Sequence, residues 1–209
     1  MMKYKHIIWD FDGTLFDTYG EISLVIAEVL KKKNIEEDNR HISKNLHKSL
    51  THTLKLLSKK HLLDFDKLVS EFMFAEEKMN VKKAIPFNGV EKIIESIEGY
   101  NFIVTNRGKS VFRFLEDKDY LRFFEEILYR DSGLELKPSS ATVDYLVSKY
   151  NLDKSETLFI GDRDIDIECA NNSNIDSCYF DSHNIINTAP CTYYVKDYKT
   201  LIELLDISK

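Results

Sequence analysis

The stretch His6-Ile7-Ile8-Trp9-Asp10-Phe11-Asp12-Gly13-Thr14-Leu15-Phe16-Asp17-Thr18 decides the fold. Its first four residues are largely apolar, β-branched or aromatic, and they predict a buried strand. Two carboxylates follow with one residue between them, then Gly13 and Thr14. In an open α/β sheet, ligands bind in the crevice beyond the carboxyl ends of the strands. Asp10 and Asp12 therefore stand where chemistry is usually done. Two like charges this close repel unless a positive charge lies between them or one carries a proton. A hard cation such as Mg²⁺ takes oxygen ligands and supplies that charge. The same residues also fit a strand ending in an Asp-rich turn, with Gly13 at a positive φ.

Working outward, three more segments set polar groups at strand ends. Phe102-Ile103-Val104 predicts a second strand that ends in Thr105-Asn106-Arg107-Gly108. A hydroxyl, an amide and free turn N–H groups make an anion cradle there. The same turn also suits the N-cap of a helix through Val111 and Leu115. Residues 124–129 read as a third strand. The loop after it reaches Lys137-Pro138, where Pro138 suits the first turn of a helix continued by Ala141, Val143, Leu146 and Val147. Residues 157–160 read as a fourth strand running into Gly161-Asp162-Arg163-Asp164-Ile165-Asp166. A helix starting here sets Asp162 and Asp166, at i and i+4, near one face. Acidic residues at a helix N-terminus are also favoured by the dipole alone. Residues 177–180 predict a fifth strand, 193–195 a short edge strand and 201–205 a closing helix.

Between the first strand and this alternation lies a helical run. Ile22, Val25, Ile26, Val29 and Leu30 make one apolar face over residues 19–33. Ile42, Leu46, Leu50, Leu54 and Leu57 predict one helix over 41–60. Asp64 reads as the N-cap of a third helix reaching about residue 83, with Leu68, Phe72 and Met79 inward. A helical block inside a strand–helix alternation is most simply an inserted domain.

Together these segments resemble the haloacid dehalogenase-like (HAD) superfamily, most of whose members are Mg²⁺-dependent phosphatases. Asp10-Phe11-Asp12-Gly13-Thr14 resembles its first motif, D-x-D-G-T. Thr105 stands where the second motif has a strand ending in Thr or Ser. Lys137-Pro138 resembles the third, although the family often has K-P-x-P and Ser140 stands at the second proline. Gly161 to Asp166 resembles the fourth, G-D-x-x-x-D. Pro86-Phe87-Asn88-Gly89-Val90 resembles the P-x-x-G-V re-entry of the phosphoglycolate phosphatase-like and β-phosphoglucomutase-like branch. Asn174 replaces the Gly that usually ends the following helix, and Asn is the next best residue in a left-handed stop. The four motifs keep the family's order, and the resemblance covers essentially the whole chain.

The resemblance implies an α/β fold: a Rossmann-like parallel sheet core from residues 1–16 and 85–209, with 17–84 as a helical cap of the C1 kind. Such caps close over the active site and help choose the substrate. It implies a phosphomonoester hydrolase working through an aspartyl-phosphate. Asp10 would be the nucleophile and Asp12 the general acid and base. Mg²⁺ would be held by the Asp10 and Asp162 side chains and the Asp12 backbone carbonyl. Thr105, Asn106 and Lys137 would bind phosphate, and Asp166 would hold a metal-bound water or orient Lys137. Arg107 would either contact substrate or be solvated. The substrate would be a small phosphorylated metabolite: phosphoglycolate-like, a sugar phosphate or a nucleotide. The alternatives are a sugar-phosphate mutase on the same core and a non-catalytic regulatory protein. A dehalogenase has little use for Asp12, because no alkoxide leaves.

Composition agrees with such a protein. The 209 residues, 43% hydrophobic and 31% charged, suit a soluble core with a small insertion. No apolar run approaches the ~20 residues of a membrane span, and the apolar start is broken by Asp10 and Asp12, unlike a signal peptide. The odd set Cys169, Cys178 and Cys191 has no zinc-like spacing and fits a reducing cytoplasm. A net charge of −6 argues against a nucleic-acid polymer as partner. A monomer or homodimer is expected. The charge is uneven: residues 40–61 hold six Lys or Arg and no acid, so the remainder carries −12. Lys44, Lys48, Lys55 and Lys59, with His41 and His52, could share one helical face. That face would be either solvated or a lure for a second anionic group on the substrate.

Overall fold

The computed structural model describes residues 3–184 and 189–207. The chain divides into two compact units, Met1–Phe16 with Pro86–Lys209, and Asp17–Ile85. After β1 (His6–Trp9) the chain leaves the first unit through β2 (Phe16–Asp17). It forms α1 (Tyr19–Lys31), α2 (Asn39–Leu46), α3 (Leu50–Lys60) and α4 (Phe65–Glu76). It returns through β3 (Ile85–Pro86), which pairs with β2. The first unit then continues with α5 (Val90–Ser96), β4 (Asn101–Val104), α6 (Ser110–Asp117), β5 (Glu126–Leu128) and α7 (Ala141–Tyr150). It ends with β6 (Thr157–Gly161), α8 (Asp164–Asn172), β7 (Asp176–Phe180), β8 (Tyr193–Val195) and α9 (Tyr198–Leu204).

The sheet of the first unit has the order β5-β4-β1-β6-β7-β8, with every neighbouring pair parallel. This is the Rossmann-like α/β architecture expected from the strand–helix alternation. From β1 the chain builds outward to β4 and β5, then crosses back to lay down β6, β7 and β8. The order therefore reverses at β1, and a crevice opens at such a point beyond the carboxyl ends. The central strands are covered on both faces, so each reads as an unbroken apolar run. Ile7, Ile8 and Trp9, Phe102, Ile103 and Val104, and Leu158, Phe159 and Ile160 are all buried. Ile8 lies opposite Phe102 on one side and Phe159 on the other. These three share a core with Val143 and Leu146 of α7 and Cys169 and Ala170 of α8. The polar Asn101 is tolerated in β4 because its amide is satisfied: Trp9 Nε1 donates to Oδ1 at 2.9 Å, and Nδ2 donates to the Ile94 carbonyl at 2.9 Å.

Local capping moved several boundaries away from the apolar periodicity. The helix expected over 41–60 is two helices. Ser49 is extended (φ −176°, ψ 156°) and its hydroxyl accepts from His52 N at 2.9 Å, starting α3 afresh. The Lys and His residues of that segment therefore do not share one helical face. Lys60 instead bonds Glu37 at 2.5 Å, and Lys55 lies over the Phe65 ring. Asp64 caps α4 as expected, accepting from Lys67 N at 2.7 Å, but α4 stops at Glu76; Asn80 then caps a separate turn at Val81–Lys83. In the first unit, Pro138 lies outside α7, which starts at Ala141 after the Ser139 hydroxyl accepts the Ala141 N–H at 3.2 Å. The strand expected over 124–129 is the shorter β5. The closing helix starts earlier, at Tyr198, with Asp197 as its cap. Asn174 takes the left-handed conformation, φ 54°, after α8.

Glu126 ties β5 to α7. One of its oxygens accepts from Tyr145 Oη at 3.0 Å, and the other from Lys149 Nζ at 2.8 Å and Tyr150 Oη at 2.9 Å. Burial alone would raise its pKa, but these donors outweigh it and hold the carboxyl below its usual 4.5. A depressed folded-state pKa contributes stability that is present above the unfolded value and lost as pH falls through the folded one. Glu126→Gln should therefore cost about 1 kcal/mol at pH 7, after solvent screening. The difference from wild type should vanish in denaturant titrations repeated well below pH 4.5. A pH-independent difference would show that the contribution is not ionic.

Candidate active site

Three adjacent strand ends meet where the sheet order reverses. Asp10 follows β1, Thr105 follows β4 and Asp162 follows β6. The ladders run one residue past the strands: Asp10 N donates to Ile160 O at 2.8 Å, and Thr105 N donates to Leu128 O at 2.9 Å. Each backbone is thus still held by the sheet where its side chain enters the crevice. After Asp12 the chain turns sharply. Gly13 adopts φ 81°, and Leu15 N and Phe16 N both donate to Phe11 O at 3.1 Å.

At the centre is Lys137, a loop residue that reaches the floor of the crevice. Its ammonium is fully buried, 2.5 Å from Asp10 Oδ1 and 2.6 Å from Asp166 Oδ1. Burial alone would lower the lysine's pKa, but the two carboxylates overcome this and hold it charged, above its ordinary value. Burial pushes Asp10 up to about 6; Asp166 adds to the rise, while Lys137 and Arg163 oppose it. The second oxygen of Asp166 accepts from Arg163 N at 3.0 Å. One oxygen of Asp166 thus faces the Lys137 ammonium and the other a backbone N–H. Asp162 does not share a helix face with Asp166, as the spacing suggested. α8 starts at Asp164, and Asp162 lies in the preceding turn, buried beside Asp10. Asp164 is partly buried and lies in the first turn of α8.

The loop carrying Lys137 is held by Asn106. Asn106 Nδ2 donates to Lys137 O, and Lys137 N donates to Asn106 Oδ1, both at 3.2 Å. The Asn106 carboxamide thus binds the lysine's main chain at both ends. Thr105 is buried, and its hydroxyl accepts from Arg107 N at 3.1 Å. Arg107 is neither solvated nor turned outward, as the sequence had left open. It is buried and grips Asp12: Nε lies 3.0 Å from both carboxylate oxygens, and Nη2 lies 2.6 Å from Oδ1. Sequence reading missed this pair because the partners are 95 residues apart and no local pattern names one for the other.

The carboxylates suit a hard divalent cation. Asp10, Asp162 and Asp166 are buried and bring ligand oxygens within 4.8 Å of one another. Three carboxylates around one buried ammonium leave an excess of negative charge, and Arg163 Nε, 3.9 Å from Asp162, offsets only part of it. Asp10 Oδ2 is buried without a hydrogen-bond partner. A buried anionic oxygen left in this way is costly unless something positive meets it. Each of the three could offer an oxygen to such an ion. Oxygen donors alone, without nitrogen or sulfur, match Mg²⁺-type chemistry.

A family model described as haloacid dehalogenase-like hydrolase matches residues 7–180, from β1 to the end of β7. The chain belongs to the haloacid dehalogenase-like hydrolase family. It is similar to the pyrimidine 5′-nucleotidase PynA of Streptococcus pneumoniae, at 24% identity over 98% of this chain and 96% of that one. It is also similar to the phosphoglycolate phosphatase of Aquifex aeolicus, at 25% identity over 78% of each. A solved hydrolase from Streptococcus pneumoniae is 27% identical, with a TM-score of 0.65 over 99% of this chain and 100% of that one. A Haemophilus somnus protein shares the fold at a TM-score of 0.85 and 21% identity, over 98% and 99% of the two chains. In this HAD-like hydrolase, the residues brought together are Asp10, Asp162, Asp166 and Lys137. Asp12 pairs with Arg107.

Gly161 makes room for the cluster. A Cβ there would fall inside the contact distance of Asp166 Cβ, which lies too near the main chain to swing away. Gly161→Ala should therefore displace Asp166 from Lys137 and cost about 1–3 kcal/mol by overpacking. Thermal unfolding of the variant checks this, and an unchanged midpoint would show that α8 shifts freely.

Proposed function

We propose that this HAD-like hydrolase is a Mg²⁺-dependent phosphomonoester hydrolase that works through an aspartyl-phosphate. The observation that carries the reading is the state of Asp10. It is fully buried, one oxygen is fixed by Lys137, and the other is left without a hydrogen-bond partner at the mouth of an all-oxygen cluster. The names of its relatives, a nucleotidase and a phosphoglycolate phosphatase, support phosphate esters as substrates. A pyrophosphatase of Oceanobacillus iheyensis, 22% identical over 98% of each chain, agrees with phosphoryl transfer to water.

In the first half-reaction, an Asp10 carboxylate oxygen attacks phosphorus. The bond from phosphorus to the ester oxygen breaks, and the leaving alkoxide takes a proton from the Asp12 carboxyl. In the second, water attacks the phosphorus of the acyl phosphate and gives its proton to the Asp12 carboxylate. The bond from phosphorus to Asp10 breaks, releasing phosphate and restoring both carboxyl groups. Lys137 keeps the nucleophile oriented and sets a positive charge beside the transferring group. The Thr105 hydroxyl contributes a donor to the phosphate oxygens, and Asn106 serves the same step through its hold on Lys137. Mg²⁺, held by Asp10, Asp162 and the Asp12 carbonyl, would neutralise phosphate charge and orient it for in-line attack. We read the inserted helical unit, Asp17–Ile85, as a cap of the C1 kind. The substrate is then a small phosphorylated metabolite. The buried free thiols of Cys169 and Cys178 suit a reducing cytoplasm. Among the described residues, no helix is long and apolar enough to cross a membrane.

Phosphate release from a panel of alkyl, sugar and nucleoside monophosphates should require Mg²⁺ and stop on chelation. Asp10→Asn should lower turnover by at least about 10³-fold, as loss of a covalent nucleophile does. Asp12→Asn should lower it by about 10²–10⁴-fold, the range of general acid–base catalysis. Metal-independent turnover, or turnover that survives Asp10→Asn, would overturn the mechanism.

A further inference from the structure

Arg107 is used by none of the steps above, yet it is among the most firmly held side chains near the site. Its main chain is tied twice: Arg107 N donates to Thr105 Oγ1 at 3.1 Å, and Arg107 O accepts from Arg130 N at 2.9 Å. Its guanidinium lies 4.9 Å from the Phe114 ring centroid and 5.6 Å from that of Phe11. Nη1 donates to Ser110 Oγ at 3.2 Å. From this fixed seat Nε and Nη2 reach both oxygens of Asp12, at 2.6–3.0 Å. The arginine side chain is 3% exposed, whereas that of Asp12 is 15% exposed at the crevice.

We infer that Arg107 is a positioning residue for Asp12, a buried brace that sets the orientation of its carboxyl group at the mouth of the crevice. The inference deepens the proposed mechanism and rests on Asp12 acting there, in the step in which its carboxylate takes the proton of water, because a guanidinium on both oxygens favours the carboxylate. A carboxyl on a single Cβ has two free torsions, and a planar fork with two donors removes both freedoms at once. A lysine offers one point of contact and cannot do this. The phenyl faces and Ser110 keep the fork in place, so the geometry is set before any substrate arrives. Arg107 also links two of the strand ends that build the site: its own turn carries Thr105 after β4, and its partner follows β1. A displacement of about 1 Å at such a group costs as much as 10²-fold in rate. Because the guanidinium is buried among core side chains, its effect falls on turnover and not on substrate affinity.

The test is a double-mutant cycle on the full chain with Mg²⁺ and an alkyl phosphate monoester that the wild type hydrolyses. Arg107→Gln should lower kcat by about 10- to 100-fold with KM unchanged. Arg107→Lys should fall between Arg107→Gln and wild type, because charge is kept and the fork is lost. In an Asp12→Asn background, neither change should lower kcat by more than about twofold, since residues that act as one unit are not additive. Ser110→Ala, a milder change that leaves the fork on Asp12, should give a smaller drop with the same dependence on Asp12. It also keeps the test open if Arg107→Gln does not fold. Equal losses in both backgrounds would overturn the inference in favour of general scaffolding. A raised KM at constant kcat would overturn it in favour of substrate contact. If Asp12→Asn lowers kcat but folded Arg107→Gln does not, the inference fails and the mechanism stands. If Asp12→Asn has no effect, the mechanism itself fails at Asp12, and the inference falls with it.

Discussion

The Lys137 ammonium, buried between Asp10 and Asp166, is the contact on which the rest of the site depends. A lone charge taken out of water costs several kcal/mol even after relaxation. Here three carboxylates and one ammonium are buried together, so each justifies the presence of the others. Their support reaches outward in definite steps. Asn106 holds the main chain of Lys137 by two hydrogen bonds, and the N–H of Arg163 holds the far oxygen of Asp166. Gly161 gives Asp166 its space. Removing any one of these would leave a buried charge off its partner, a much larger penalty than the loss of a surface ion pair.

Sheet order explains why these groups meet. β1 is laid down first and then flanked by β4 on one side and β6 on the other, so its carboxyl end faces the gap where the order reverses. Asp10, Thr105 and Asp162 come from three distant parts of the chain, but parallel pairing brings their strand ends level. The floor beneath them is apolar, with Ile8, Phe102 and Phe159 in register. That floor excludes water, which strengthens every electrostatic interaction above it and raises Asp10 to about 6. Fold and chemistry are therefore linked through one feature, the continuous burial of the central strands.

Much of this could be read from residues alone, and the failures have specific causes. The strand of residues 6–9 was legible because a strand buried on both faces has no polar alternation to obscure it. Asp64 and Asn174 were legible because capping and helix termination are decided by one residue and its immediate neighbours. The helix expected over 41–60 broke at Ser49, where a side-chain hydroxyl competed successfully with an apolar pattern that continued on either side. Pro138 was expected inside a helix, but Ser139 accepts the Ala141 N–H and delays the start. Asp162 and Asp166 were brought together in both readings, though by different means: spacing suggested a shared helix face, and the turn before α8 supplies the contact instead.

The sequence by itself determined the α/β alternation, the inserted helical block and the acidic and basic residues at the strand ends. Those features follow from local periodicity and from the polar residues that interrupt it. Only the tertiary structure decided how those charges are shared out. Lys137 could have met any of several carboxylates, yet Asn106 and Gly161 commit it to Asp10 and Asp166. Arg107 could have faced water, yet Phe11, Phe114 and Ser110 seat it against Asp12. Ion pairing between residues far apart depends on distances of a few ångströms, and spacing along a chain carries no record of them until the sheet is assembled.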